Sequence, residues 1–92
     1  MKYVNVKNTK NTATNPPTGY SNWLDLWEKK QGVKAYNCEA MLCNGKAKTI
    51  GCVIKIDDIK PTKYIIPLCN YHYNIPSNEL FEVWESDLVP IS

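Results

Sequence analysis

Four side chains have the types and spacing to hold a metal ion. Cys38 and Cys43 form one short-spaced pair, Cys69 and His72 another, and 25 residues separate the pairs. Zn2+ favours four tetrahedral ligands drawn from thiolate and imidazole, usually offered as two such pairs. The expected set is Cys38, Cys43, Cys69 and His72 around one Zn2+. Cys52 is the alternative ligand, and otherwise a buried small hydrophobe or a free thiol. Three thiolates and a neutral imidazole would leave the centre with a single net negative charge, which Lys46, Lys48 and nearby backbone N–H groups would soften. A closed set of four protein ligands leaves no position for water, so the site reads as structural. His72 is the only histidine in the chain. If zinc takes it, no free imidazole remains for acid–base chemistry.

The ligand pairs need elements to position them. A chain of 92 residues makes one small domain that gains from a staple. Ser21 to Gln31 predicts a short helix, capped by Asn22 with Asp25 three residues on, and stopped by Gly32. Trp23, Leu24 and Trp27 form its expected apolar face, and both tryptophans read as core. Asn44-Gly45 predicts a type I′ turn. Ala47 to Ile56 and Tyr64 to Leu68 read as strands, with Asp57-Asp58 and Pro61-Thr62 as turn formers between them. A short helix is expected from Asn70, broken before Pro76. Residues 78–91 fit either a short helix or two short strands. At the start, Met1–Val6 reads as a short edge strand and Lys7–Gly19 as an extended or mobile arm. The expected organisation is an arm over residues 1–19 and an α+β zinc-binding domain over residues 20–92.

Charge is unevenly laid out. All 11 basic residues are Lys; residues 1–63 carry all of them against five acids, a net +6, and residues 64–92 carry four acids and no Lys, a net −4. The candidate surfaces are therefore a basic one from Lys46, Lys48, Lys55, Lys60 and Lys63, and an acidic one from Glu79, Glu82 and Glu85. The absence of Arg disfavours bidentate readout of guanine, though Lys contacts to a nucleic-acid backbone remain open. No apolar run follows Met1 to serve as a signal-peptide core, and none is long enough to cross a membrane. The expectation is a cytoplasmic, reducing setting without membrane contact, in which paired Cys are metal ligands and not disulfides.

The order Cys pair, hairpin, Cys-x-x-His opening a helix is that of a treble clef. With Cys38 and Cys43, then Gly51-Cys52-Val53 or Asp58-Ile59-Lys60-Pro61, then Ile65-Ile66-Pro67-Leu68-Cys69-Asn70-Tyr71-His72, the chain resembles the HNH-like zinc-binding families. The leader Trp23…Trp27-Glu28…Gly32 also looks like that of small bacterial and phage members. The likeness runs over about residues 20–91 and implies a zinc-stapled ββα domain. In nucleases of this kind a middle-strand histidine is the general base. Here that position is Cys52 in one register and Asp58 in the other, and neither supplies an imidazole. A carboxylate is a weak base at neutral pH unless its surroundings raise its pKa. The resemblance thus implies a non-catalytic interaction protein of a phage or mobile element, of the anti-CRISPR type, with a nucleic-acid-processing nuclease as protein partner. The alternatives are an HNH-type metal-dependent endonuclease with an altered base and a zinc protein that binds nucleic acid through its lysines.

Overall fold

A computed structural model describes residues 2–9, 18–59 and 62–91. Its centre is a five-stranded antiparallel sheet of order β4-β1-β2-β3-β5. The strands are β1 (Tyr3–Asn8), β2 (Thr49–Lys55), β3 (Tyr64–Leu68), β4 (Leu80–Trp84) and β5 (Val89–Pro90), with helices α1 (Trp23–Gln31) and α2 (Asn70–Asn74). A single 3-10 turn, Glu85–Asp87, joins β4 to β5. This is an α+β arrangement, as expected.

The N-terminal strand corrects the sequence expectation. β1 is an inner strand, paired with β2 through Val6↔Lys55 and with β4 through Val4↔Val83. It runs on to Asn8, two residues into the expected arm, and Thr9 still donates its N–H to Cys52 O at 2.9 Å. The reason is burial: Val6 is fully enclosed, and an inner position covers it from both neighbouring strands. The rest of the expected arm, residues 10–17, lies outside the described residues. The tail takes the two-strand alternative, and β4 and β5 close opposite edges of the sheet.

α1 forms where its caps predict. Asn22 accepts from the Asp25 N–H at 2.8 Å, and Asp25 accepts from the Ser21 N–H at 3.0 Å. Gly32 adopts φ 75 and returns its N–H to Glu28 O, a left-handed C-cap that suits glycine. The buried face is Leu26 and Trp27 with Trp23 beside them, and not the expected Leu24. Positions i, i+3 and i+4 share a helix face, whereas i+1 turns away. Trp27 also donates its ring N–H to Asp87 O at 2.8 Å, so it serves as core and as a tie to the 3-10 turn.

Two apolar clusters lie on opposite faces of the sheet. One joins Leu26, Trp27, Ile65 and Val89 beneath α1. The other joins Val6, Val53, Ile66, Leu68, Val83 and Leu88 to Cys38, Ala40 and Cys69. Gly51 permits this packing, because a Cβ there would collide with the Leu68 side chain. Pro67 is tolerated in β3 because its carbonyl side faces the loop before β2, where it accepts the Glu39 N–H at 3.1 Å. No ladder donor is lost there.

Glu39 meets Asp87 across this joint. Burial, and then the Asp87 carboxylate as hydrogen-bond partner and like charge, push the Glu39 carboxyl up to about 7. A carboxyl raised in the folded state holds its proton longer than in the unfolded chain. Stability therefore falls as pH rises from the unfolded value of 4.5 through about 7, and the cost is complete above that window. Glu39→Gln should raise stability at pH 8 by on the order of 1 kcal/mol, a figure discounted for partial solvent exposure. At pH 5 it should change little. Urea midpoints at the two pH values check this; equal effects at both would remove this account of Glu39.

Candidate metal centre

The loop before β2 presents the first two cysteines. A bridge pairs Asn37 with Lys46, Cys38 N donates to Gly45 O at 3.0 Å, and Cys43 N donates to Ala40 O at 3.1 Å. The result is a tight knuckle over residues 38–45. The turn is not the type I′ turn expected at Asn44-Gly45. That turn needs positive φ at both central residues, and neither residue has it; Leu42 instead carries φ 61. Gly45 is required for space. A Cβ there would lie 3.1 Å from Cys69 Cβ and 3.4 Å from Cys43 Sγ.

β3 leads straight into the second pair. Cys69 is the N-cap of α2, extended at φ −76 and ψ 170, and its sulfur accepts the His72 N–H. A ligand at the cap and another three residues on face the same side of the first turn. Knuckle and helix therefore point at one another. The donor atoms of Cys38, Cys43, Cys69 and His72 all lie within 4.8 Å of one another. Cys43 Sγ and Cys69 Sγ are 3.8 Å apart, and His72 Nδ1 lies 3.6 Å from Cys38 Sγ and 3.3 Å from Cys69 Sγ. A tetrahedral centre with metal–sulfur bonds of about 2.3 Å sets its sulfurs about 3.8 Å apart, and its sulfur and imidazole nitrogen about 3.5 Å apart. The donor set fits a metal ion.

The four expected ligands thus converge, and Cys52 stands apart from them. Cys52 pairs with Ile65, which packs beneath α1. Ile66 and Leu68 face the other way, with Cys38 and Cys69. Alternate strand residues face opposite sides, so Cys52 is on the α1 side of the sheet. It is a buried free thiol. The Asp57-Asp58 pair forms part of the turn after β2, with the Asp58 N–H 3.5 Å from Lys55 O, and joins no metal-binding group among the described residues.

The electrostatics of the donors are unequal. Burial pushes the Cys38 thiol up to about 12. Burial opposes ionisation at Cys69 too. It is outweighed by the His72 N–H and then by the His72 ring, Cys38 and Cys43 at the same sulfur, which bring Cys69 down to about 6. A cation held at this point would take the place of the thiol protons. Gly45 N donates to Cys43 Sγ at 3.4 Å and His72 N to Cys69 Sγ at 3.5 Å. These are the backbone N–H groups expected to soften the charge of the centre. Lys46 instead reaches Asn37 Oδ1 at 3.5 Å.

One contact joins a residue of the expected basic set to one of the acidic set. Lys55 is bound to Glu85 at 2.8 Å and lies 5.0 Å from the centre of the Tyr64 ring. Lys46, Lys48, Lys63, Glu79 and Glu82 are exposed, and Lys60 lies outside the described residues.

Asn8 is the residue that the sequence did not single out. Its side-chain amide donates to His72 O at 2.8 Å, Ile75 O at 3.1 Å and Tyr73 O at 3.4 Å. It ties the last carbonyls of α2 to β1, and an asparagine in an arm-like stretch carries no local sign of that long-range role. Asn8→Ala should weaken metal binding about 10-fold or more while leaving the sheet folded. Competition with a chromophoric chelator, read beside circular dichroism, measures this; unchanged affinity would show that α2 does not need the latch.

No protein-family model matches this chain, and no curated protein or solved structure matches it.

Proposed function

We propose that the chain is a non-catalytic, zinc-stapled interaction domain. One Zn2+ is held by Cys38, Cys43, Cys69 and His72, and the surface around it meets a protein partner. The single observation that carries this reading is the convergence of four protein donors within 4.8 Å. Soft thiolates with one imidazole suit zinc, and four protein ligands close its coordination sphere against a reacting water. The succession of knuckle, β2–β3 hairpin and α2 supports the treble-clef form of this domain.

The nuclease alternative gains no support from the positions that the HNH resemblance marks. Cys52 is buried on the α1 side, and Asp58 belongs to a turn. Among the described residues the only histidine is a member of the metal-binding group. The partner class rests on the resemblance alone. It is a host nucleic-acid-processing nuclease, with the chain as an anti-CRISPR-type inhibitor. Exposed Glu79 and Glu82 are the groups with which such a chain would meet a basic channel. Exposed Lys46 and Lys48 keep the nucleic-acid reading in play, and steep salt dependence of binding would mark it.

Native mass spectrometry with metal analysis tests the staple. One zinc per chain is expected, lost in His72→Ala and kept in Cys52→Ala. Chelation should expose α2 and the knuckle to protease first, since zinc-binding energy is folding energy in domains of this size. Two zincs, none, or retention in His72→Ala would overturn the ligand set. Capture of a nuclease from host lysate, followed by inhibition of its cleavage by the pure chain, tests the partner. Metal-dependent nicking of plasmid DNA abolished by Asp58→Ala would favour the enzyme instead.

A further inference from the structure

We infer that Cys43 and Cys69 form a peroxide-sensitive dithiol within the metal centre, whose oxidation to a disulfide expels the metal. The inference rests on the zinc reading of the site. Three observations support it. The two sulfurs are 3.8 Å apart, close enough to bond after a small side-chain movement. Gly45 leaves room beside the pair for that movement, because a Cβ there would lie 3.4 Å from Cys43 Sγ and 3.5 Å from Cys69 Sγ. Access is also unequal: Cys43 is half-buried, whereas Cys38 is 5% exposed and Cys69 9%. A small oxidant therefore meets Cys43 first, and Cys69 is the neighbour that resolves it. Cys52 is excluded by its place on the other face of the sheet.

The chemistry balances with hydrogen peroxide as oxidant. The Cys43 thiolate sulfur attacks one peroxide oxygen, the O–O bond breaks and hydroxide leaves, giving a sulfenic acid. The Cys69 thiolate then attacks the Cys43 sulfur, the S–O bond breaks and a second hydroxide leaves. Two electrons pass from the two sulfurs to peroxide, and two protons convert the hydroxides to water. Zinc keeps only Cys38 and His72, too few ligands to hold it against a chelator. The new bond joins residues 26 apart that the metal had joined before, so the knuckle stays tied to the start of α2.

The zinc-loaded chain is titrated with hydrogen peroxide in the presence of a chromophoric zinc chelator, and its peptides are mapped without reduction. One zinc should leave for each Cys43–Cys69 disulfide formed, dithiothreitol with added zinc should restore the centre, and Cys52→Ala should behave as the parent does. A disulfide between Cys38 and Cys43, any link to Cys52, or zinc retained through complete oxidation would overturn the inference. A preparation that never holds zinc overturns the metal reading. The disulfide map of that metal-free chain then decides the dithiol by itself, with Cys43–Cys69 supporting it and any other linkage rejecting it.

Discussion

The convergence of knuckle and α2 on one point is the constraint on which this end of the molecule depends. α2 has five residues and buries none of them. A helix that short has no stability of its own, because nucleation costs more than one turn of hydrogen bonds returns. It exists here because Cys69 and His72 face the knuckle at its start and Asn8 collects its carbonyls at its end. The knuckle is equally dependent. Leu42 holds φ 61 and is 95% exposed, so a left-handed conformation costing about 1–2 kcal/mol is offset by no packing of its own side chain. What recommends that backbone is where it sends Cys43.

The sheet meets this constraint halfway. Cys38 and Cys69 belong to the same apolar cluster as Val6, Leu68 and Val83, so two of the candidate ligands are also core. The knuckle is further fixed from outside by the Glu39 N–H on Pro67 O and the Met41 N–H on Glu82 O. Ligand geometry is thus largely built by strands that do not coordinate anything. Preorganisation of this kind lowers the ordering cost of metal binding. It also couples the two sequence ends to the centre, since β1 supplies Asn8 and β4 supplies Glu82.

The ligand pairs, the two central strands, α1 and the start of α2 were legible because each is written locally. Caps, short spacings and apolar runs need only near neighbours in sequence. The inner place of β1 was not legible, because it depends on pairing Val4 with Val83 at the far end of the chain. A short stretch in which Val4 and Val6 alternate with polar residues looks like an edge until a second strand arrives to cover it. Gly45 was misread for a related reason. Asn-Gly is a strong hairpin signal, but here the glycine answers a close approach by Cys69 that no local pattern records. The charge asymmetry in sequence did not foretell one pairing in space. Lys55 and Glu85, assigned to opposite surfaces, neutralise one another at 2.8 Å.

The same geometry bears on where function can reside. A centre that takes its four donors from the protein has no ligand to exchange except by losing one of its own. Chemistry at such a site must then begin with the most accessible donor, and Cys43 is more open than either of the other two thiols. In the proposed interaction domain, recognition uses what the scaffold holds outward instead. Leu42 and Tyr71 each stand next to a ligand in sequence, and both are more than two-thirds exposed. Apolar side chains held in water beside a rigid centre lose little further freedom on contact with a partner. Loss of the metal would release the backbone that presents them while leaving the strands paired, because local unfolding follows the least buried unit first. In the proposed zinc-stapled domain, metal occupancy and surface recognition are one equilibrium, set by the knuckle and α2.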